Sequence, residues 1–228
     1  MVNSKIIKKA ELVTKLLFTL TLASFSCADD DDTLYLSKEF QLPVDVMPKK
    51  DIYKVGDTII VNINFPKILS DKENTLKYLF EEYDFGTSVR IVELIDKSQP
   101  LSGQPGAIES FQFINQVGGI YPFGSGGGEL DLIFNGENYI FSGQIIIGKQ
   151  GVYNISFLCD FSENAIAVGA PHGYTNIVAG VSPSFTLVNS GDTFNYHLFP
   201  KYTASRFDTS DSISTQTRSF FPFVVEEY

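Results

Sequence analysis

The chain has 228 residues, a formal net charge of −10 and a hydrophobic fraction of 43%. A chain of this size can build one large β domain or two small ones. The acidic balance argues against nucleic acid as a partner, because nucleic-acid binding depends on Lys and Arg contacts to phosphate.

A secretion signal is predicted for residues 1–26. Basic side chains precede an apolar run at residues 16–26; they are Lys5, Lys8, Lys9 and Lys15. A run of about eleven residues is too short to cross a bilayer, which takes about 20, but it fits the apolar core of a cleaved signal peptide. Removal of this segment would leave a net charge of −13.

Cys27 follows the small residue Ser26, an arrangement that resembles a bacterial lipobox. The resemblance implies that the Cys27 thiol is lipidated, with palmitate as an acyl chain. A multiply acylated cysteine is a stable membrane anchor, whereas a single chain is not. The acidic run behind it consists of Asp29, Asp30, Asp31 and Asp32. Residues 27–38 are predicted to be an acidic tether. The alternative is an ordinary secretory signal with a chance cysteine and a solvated acidic linker.

Residues 39–228 are predicted to form a single domain, and its first strands follow the tether. Residues 40–46 contain Pro43, which predicts an edge or bulged strand. Residues 58–65 alternate, with Ile59 and Val61 on the face that Ile63 and Phe65 also share, which is typical of a half-buried strand. Residues 87–95 are apolar on both faces, which predicts a strand inside a sheet.

One helix is predicted at residues 70–83. Ser70 and Glu73 have capping-box spacing. Apolar residues then follow at the i, i+3, i+4 and i+7 positions of one helical face; they are Leu76, Leu79, Phe80 and Tyr83.

The second half of the chain contains further strand patterns. Strands are predicted at residues 108–114, 130–134, 138–148, 152–159, 184–188, 193–199 and 220–225. Short turns join residues 130–159, which predicts a meander of neighbouring strands. About ten short strands with one short helix predict an all-β fold, an antiparallel, immunoglobulin-like β-sandwich.

No catalytic residue, metal site or cofactor is predicted. His172 and His197 have no second ligand at metal-binding spacing, and His197 is expected to face solvent. Cys159 is followed by Asp160, which disfavours a thiolate, and the strand alternation turns the thiol toward the core. With Cys27 used by the lipid anchor, no disulfide within the mature chain is expected, and the aromatic-rich core must hold the domain together.

Two long loops, at residues 116–128 and 160–182, are the predicted ligand surface, because binding is often carried by loops on a rigid scaffold. Their candidate contact residues are Tyr121, Phe123, His172 and Tyr174. A glycan or a protein is the expected ligand of a non-enzymatic module. The alternative is a glycan-directed hydrolase whose carboxylates are scattered in the sequence.

Three features together resemble the small surface lipoproteins of Bacteroidota: Cys27 with its aspartate run, residues 53–59, and the Gly151 to Tyr153 segment. The resemblance implies a lipid anchor in the outer membrane, exposure at the cell surface and an immunoglobulin-like domain. Asp29 to Asp32 would then act as the export signal. Gly151 and Tyr153 also resemble the tyrosine corner of such sandwiches.

Overall fold

A computed structural model describes residues 33–96, 98, 106–159, 164–168, 176–188, 195–203 and 219–227. The predicted anchor Cys27 and the run Asp29 to Asp32 lie outside the described residues. The strands are β1 (Thr33–Met47), β2 (Ile52–Lys54), β3 (Thr58–Pro66), β4 (Ile68–Ser70), β5 (Lys77–Leu79), β6 (Thr87–Glu93), β7 (Ile95–Asp96), β8 (Phe111–Val117), β9 (Gly119–Phe123), β10 (Gly127–Asp131), β11 (Ile133–Phe134), β12 (Asn138–Ile147), β13 (Gly151–Cys159), β14 (Asn164–Ala167), β15 (Asn176–Leu187), β16 (Tyr202–Thr203) and β17 (Phe220–Glu226). Two short 3-10 turns, Ile108–Ser110 and Tyr196–Leu198, complete the described elements.

The strands form two large sheets and one small ribbon. The first sheet has the order β11-β12-β3-β1-β15-β14-β5-β4, with β8 also paired to β12. The second has the order β2-β17-β13-β6-β10-β9, and β16 pairs with β7 in the ribbon. The sheets are mixed, since β1 runs parallel to β15 and β17 runs parallel to β2. The prediction of purely antiparallel sheets is therefore wrong for these two pairs.

A single buried cluster contains the inward side chains of both sheets. Across it, the rings of Phe157 on β13 and Phe185 on β15 lie 6.1 Å apart. The alternation predicted for β3 is confirmed, because Ile59, Val61 and Ile63 are all buried. The all-β, immunoglobulin-like sandwich predicted from the sequence is confirmed.

β1 lies inside the first sheet, so the edge position predicted from Pro43 is wrong. The C=O of Val44 accepts a hydrogen bond from the N–H of Val188 beyond the end of β15, at 2.9 Å. Backbone groups of successive residues point to opposite sides of a strand, so those of Pro43 point toward β3. The β1–β3 ladder begins at Val44, and the missing N–H of Pro43 therefore falls just outside it.

The helix predicted at residues 70–83 is wrong. That segment forms the end of β4, a turn, and β5, and Asn74 at φ 54° lies in the turn. Tyr78 and Phe80 are buried while Leu79 between them is exposed, which is the period of a strand. Ladders to β4 and β14 override the local helical spacing.

The meander predicted at residues 130–159 is correct for its first turn alone. β11 and β12 form the expected hairpin around Gly136. β12 belongs to the first sheet and β13 to the second. The turn between them therefore connects the two sheets instead of closing a hairpin. A short turn allows either connection, which is why the sequence pattern did not distinguish them.

Four other predicted segments also differ from the structure. β1 begins at Thr33, so six residues assigned to the tether belong to a strand. The predicted loop at 116–128 contains the end of β8, all of β9 and the start of β10. The predicted loop at 160–182 contains β14 and part of β15. The strand predicted at residues 193–199 contains the 3-10 turn Tyr196–Leu198.

The tyrosine-corner resemblance has a structural counterpart at Tyr153. Its hydroxyl donates to the C=O of Gln150 at 3.0 Å, three residues upstream, while its ring is fully buried. Such a bond ties the start of β13 to the turn before it. Among the described residues, no helix is long and apolar enough to span a membrane.

Candidate functional site

Two aromatic side chains stand exposed on β9, the edge strand of the second sheet. Tyr121 is 52% exposed and Phe123 is 60% exposed. Tyr121 pairs with Glu129 on β10, and Phe123 pairs with Gly127. The two aromatic residues predicted as ligand contacts thus lie on a strand, where their spacing is fixed by the ladder.

Gly127 gives Phe123 room to lie across the neighbouring strand. A Cβ atom at Gly127 would come within 3.1 Å of the Phe123 ring. Any larger residue would therefore push the ring away from the sheet. The segment predicted to be a loop at residues 116–128 therefore includes a backbone surface on which an aromatic ring packs.

Beside Phe123 lies a groove of about 710 Å³, called here the acidic groove. Its walls are residues 82–88, residues 129–132 and the rings of Phe123, Phe134 and Tyr139. Four carboxylates line it, with no lysine or arginine among the lining residues; they are Glu82, Asp84, Glu129 and Asp131.

Hydrogen bonds fix the wall formed by residues 82–88. The hydroxyl of Tyr139 donates to the C=O of Phe80 at 3.1 Å and accepts the N–H of Tyr83 at 2.6 Å. Burial raises the pKa of the Tyr139 hydroxyl, which keeps it protonated as a donor. The Thr87 hydroxyl donates to the C=O of Leu130 and joins the two walls.

A second groove of about 400 Å³, the Arg90 groove, lies on the other side of Phe123. Arg90 is exposed on β6 and pairs directly with Gly127. Phe123 lines both grooves. Its ring therefore separates a carboxylate-lined surface from one that carries a guanidinium.

The arrangement suits a ligand with a flat apolar face and several hydroxyl groups. An exposed aromatic ring offers apolar contact area at a low cost in side-chain entropy. Carboxylates accept hydrogen bonds from hydroxyl groups. Within the described ranges, no group of three or more His, Cys, Asp or Glu side chains is placed to hold a metal ion.

The other candidates are placed apart or not described. His172 and Tyr174 lie outside the described residues. His197 is exposed, as predicted, but on a 3-10 turn. Cys159 is half-buried and packs against the core, as expected from the alternation of β13.

Sequence reasoning missed the carboxylates of the acidic groove. Glu82 was assigned to the end of a helix that does not form. Glu129 and Asp131 alternate with the buried Leu130, and this pattern places both on the outward face of β10. That alternation was visible in the sequence, but nothing in it showed that residues 82–84 lie opposite.

No family model matches the chain, and no curated protein matches it. Among solved structures it is similar to the human F-spondin reeler domain, at 12% identity and a TM-score of 0.27 over 69% of this chain and 94% of that one. A type I cohesin from Pseudobacteroides cellulosolvens gives 11% identity and a TM-score of 0.25 over 68% and 94%. A type II cohesin domain from Acetivibrio cellulolyticus gives 11% and 0.23 over 63% and 91%. Because these TM-scores lie below 0.5, neither a family nor an activity is assigned from them.

Proposed function

We propose that the chain is a lipid-anchored module of the bacterial cell surface that binds a glycan without turning it over. The anchor is Cys27, supported by the basic and apolar leader before it. The run Asp29 to Asp32 serves as the export signal, as in the surface lipoproteins that the sequence resembles. The outer membrane is the proposed location.

The observation that carries glycan binding is the exposed ring of Phe123 between two grooves. At 60% exposure its apolar surface contacts solvent, although the ladder to β10 holds its backbone in place. A sugar ring stacked on that surface would bring its hydroxyl groups within reach of the Glu129 side of the acidic groove.

Binding is tested with an immobilised glycan array, followed by titration calorimetry on each glycan that is retained. Phe123→Ala should weaken binding at least about tenfold, which corresponds to about 1.4 kcal/mol. Ile52→Ala is the matched control, because Ile52 is 51% exposed on β2, the opposite edge of the sheet. Equal loss in both variants, or no glycan retained, contradicts the proposal.

A glycan-directed hydrolase is the second candidate, and the carboxylates favour it. Glu129 and Asp131 project from the same face of β10, two residues apart, so their Cα atoms are about 7 Å apart. Glycosidase carboxyl groups are about 5–9.5 Å apart. Release of reducing sugar by the wild type that is lost in both Glu129→Gln and Asp131→Asn would establish the hydrolase and refute the non-enzymatic module.

The anchor is tested by palmitate labelling and protease shaving of intact cells. Wild type should be labelled and shaved, and Cys27→Ala should lose the label. Replacement of Asp29 to Asp32 by alanine should keep the label but protect the protein from shaving. Equal labelling of wild type and Cys27→Ala refutes the anchor, and protection of the wild type refutes surface exposure.

A further inference from the structure

The outward side of the first sheet carries almost no charge over four neighbouring strands. These are β8, β12, β3 and the last part of β1, which pair in that order. On β3 and β12 the even-numbered residues point outward and the odd-numbered ones are buried. We call this surface the neutral face.

Amide, hydroxyl and aliphatic side chains make up the neutral face. Among the outward residues of these four described strand segments, Asp45 is the single charged one. The chain as a whole is strongly acidic, with a net charge of −10. Depletion of charge is the compositional mark of the central part of a protein interface.

One row across the face is partly apolar. The ladder aligns Ile114 with Gln144, Gln144 with Ile60, and Ile60 with Met47. Of the apolar members of this row, Ile114 is 45% exposed, Ile60 is 37% exposed and Met47 is 43% exposed. Neighbouring strands are about 4.8 Å apart, so the row spans about 14 Å.

The polar groups beside the row are held together by hydrogen bonds. The hydroxyl of Ser142 lies 2.9 Å from Oδ1 of Asn62 and 3.2 Å from Oε1 of Gln116. These contacts join β3, β12 and β8 on the outer surface. The face is therefore presented as an ordered surface and needs little rearrangement to bind.

We propose that the neutral face is where a second copy of this chain docks, face to face across a two-fold axis. A two-fold interface brings each patch against itself, so its chemistry must be self-complementary. Amide side chains satisfy this because they both donate and accept hydrogen bonds, and so do hydroxyl and aliphatic groups. A carboxylate near the axis would meet its own copy and repel it.

The low charge of this face also favours contact between two copies. Two acidic copies repel each other wherever carboxylates are brought together. The neutral face allows approach without that cost. Its one charged residue among the described strand segments, Asp45, pairs with Asn62 on the β1 side of the face, whereas Ile114 lies on β8 at the opposite side. The proposal does not depend on glycan binding or on the lipid anchor.

The test introduces one additional cysteine at a time, beside the native Cys159, in cells that produce the protein. A short bismaleimide cross-linker then joins cysteines of neighbouring copies. Ile60→Cys and Gln144→Cys lie on the central row and should give a dimer band. Ile68→Cys is the matched control, since Ile68 is 41% exposed on β4, beyond the end of β3 and outside the four strand segments of the neutral face. Wild type is the second control, because any dimer band it gives must come from the native cysteines, Cys27 and Cys159.

Purified protein gives an independent measurement by sedimentation velocity. Ile60→Glu should raise the dimer dissociation constant about tenfold or more, while Ile68→Glu should leave it unchanged. Thermal unfolding of each variant checks that it is folded. No dimer band from either row position, equal bands from Ile68→Cys, or a band that contains a different protein overturns docking of a second copy.

Discussion

The ammonium group of Lys38 on β1 lies 3.0 Å from the carboxylate of Asp71, whose side chain is 1% exposed. The same carboxylate accepts the N–H of Thr75 at 2.6 Å and also the Thr75 hydroxyl. Asp71 follows β4 directly, so the contact joins the first part of β1 to the turn between β4 and β5. The C=O of Glu39 accepts the N–H of Lys72 at 2.8 Å beside it. The first sheet is thereby curled back on itself.

Asp71→Asn should lower the free energy of unfolding by about 2 kcal/mol, as expected for lost hydrogen bonds to a charged group. Burial tends to raise the pKa of Asp71, but the hydrogen bonds from Thr75 and Lys38 outweigh it and lower the pKa from 3.8 to about 2. Because the folded-state pKa is the lower one, the stabilisation is complete above about pH 4 and is lost as the pH falls toward 2.

Urea unfolding at neutral and acidic pH measures this effect. Wild type should lose more stability on acidification than Asp71→Asn does. Asp45→Asn is the control, since Asp45 is 34% exposed at the side chain and lies 4.0 Å from Lys49; it should change stability by less than about 1 kcal/mol. Identical acid curves for wild type and Asp71→Asn would show that the contact contributes nothing.

The sequence predicts a strand best where one face of the strand is buried in the core and the other face is exposed to solvent. β3 alternates because Ile59 and Val61 face the core while Asn62 and Asn64 face outward, and that contrast is written in the sequence. The segment around Tyr78 and Phe80 was not predictable in the same way. Its apolar residues fit a helical spacing and a strand spacing equally, and the pairing of β5 with β4 and β14 decides between them.

The candidate site also combines features that a local sequence pattern predicts with features that depend on the pairing of distant segments. Tyr121 and Phe123 were identifiable as aromatic residues within a glycine-rich segment. Their groove was not, because its opposite wall comes from Glu82 and Asp84, about 40 residues earlier in the chain. Contacts between residues so far apart depend on the order of strands in the second sheet, and no local pattern encodes that order.

Tyr53→Phe should remove a tyrosine that ionises late when the protein is titrated with alkali. Burial, together with the nearby charge of Asp57, raises the pKa of Tyr53 to about 12 in spite of the opposing hydrogen bond from Lys50 N–H. In the unfolded chain the hydroxyl ionises near pH 10. Stability that depends on the neutral form is therefore present below about pH 10 and lost as the pH rises toward 12.

Ultraviolet absorbance of tyrosinate, recorded as the pH is raised, follows this ionisation. The wild type should show a late step that coincides with unfolding measured by circular dichroism. A late step that persists in Tyr53→Phe would assign it to another tyrosine.

Gly118→Ala and Gly124→Ala should differ in cost although both glycines have positive φ, 69° and 61°. At Gly118 a Cβ atom would overlap the C=O oxygen of Asp131, whereas at Gly124 nothing lies within 4 Å. Gly124→Ala should cost about 1 kcal/mol from backbone strain alone, and Gly118→Ala about 2 kcal/mol or more. Chemical denaturation measures both, and equal costs would mean that β9 and β10 separate freely at that end.

Phe123→Ala should leave stability almost unchanged, while Phe223→Ala should destabilise the chain severely. Phe123 is 60% exposed, and such positions change the free energy of unfolding by about 0.5 kcal/mol or less. Phe223 is fully buried, with its ring 5.2 Å from that of Tyr53, and its loss should cost about 3–5 kcal/mol. Chemical denaturation measures both costs, since a shift in the midpoint reports a change in stability when the m-value is the same in the two variants. A large cost at Phe123 would show that its ring supports the fold, and any loss of glycan binding in Phe123→Ala would then report unfolding.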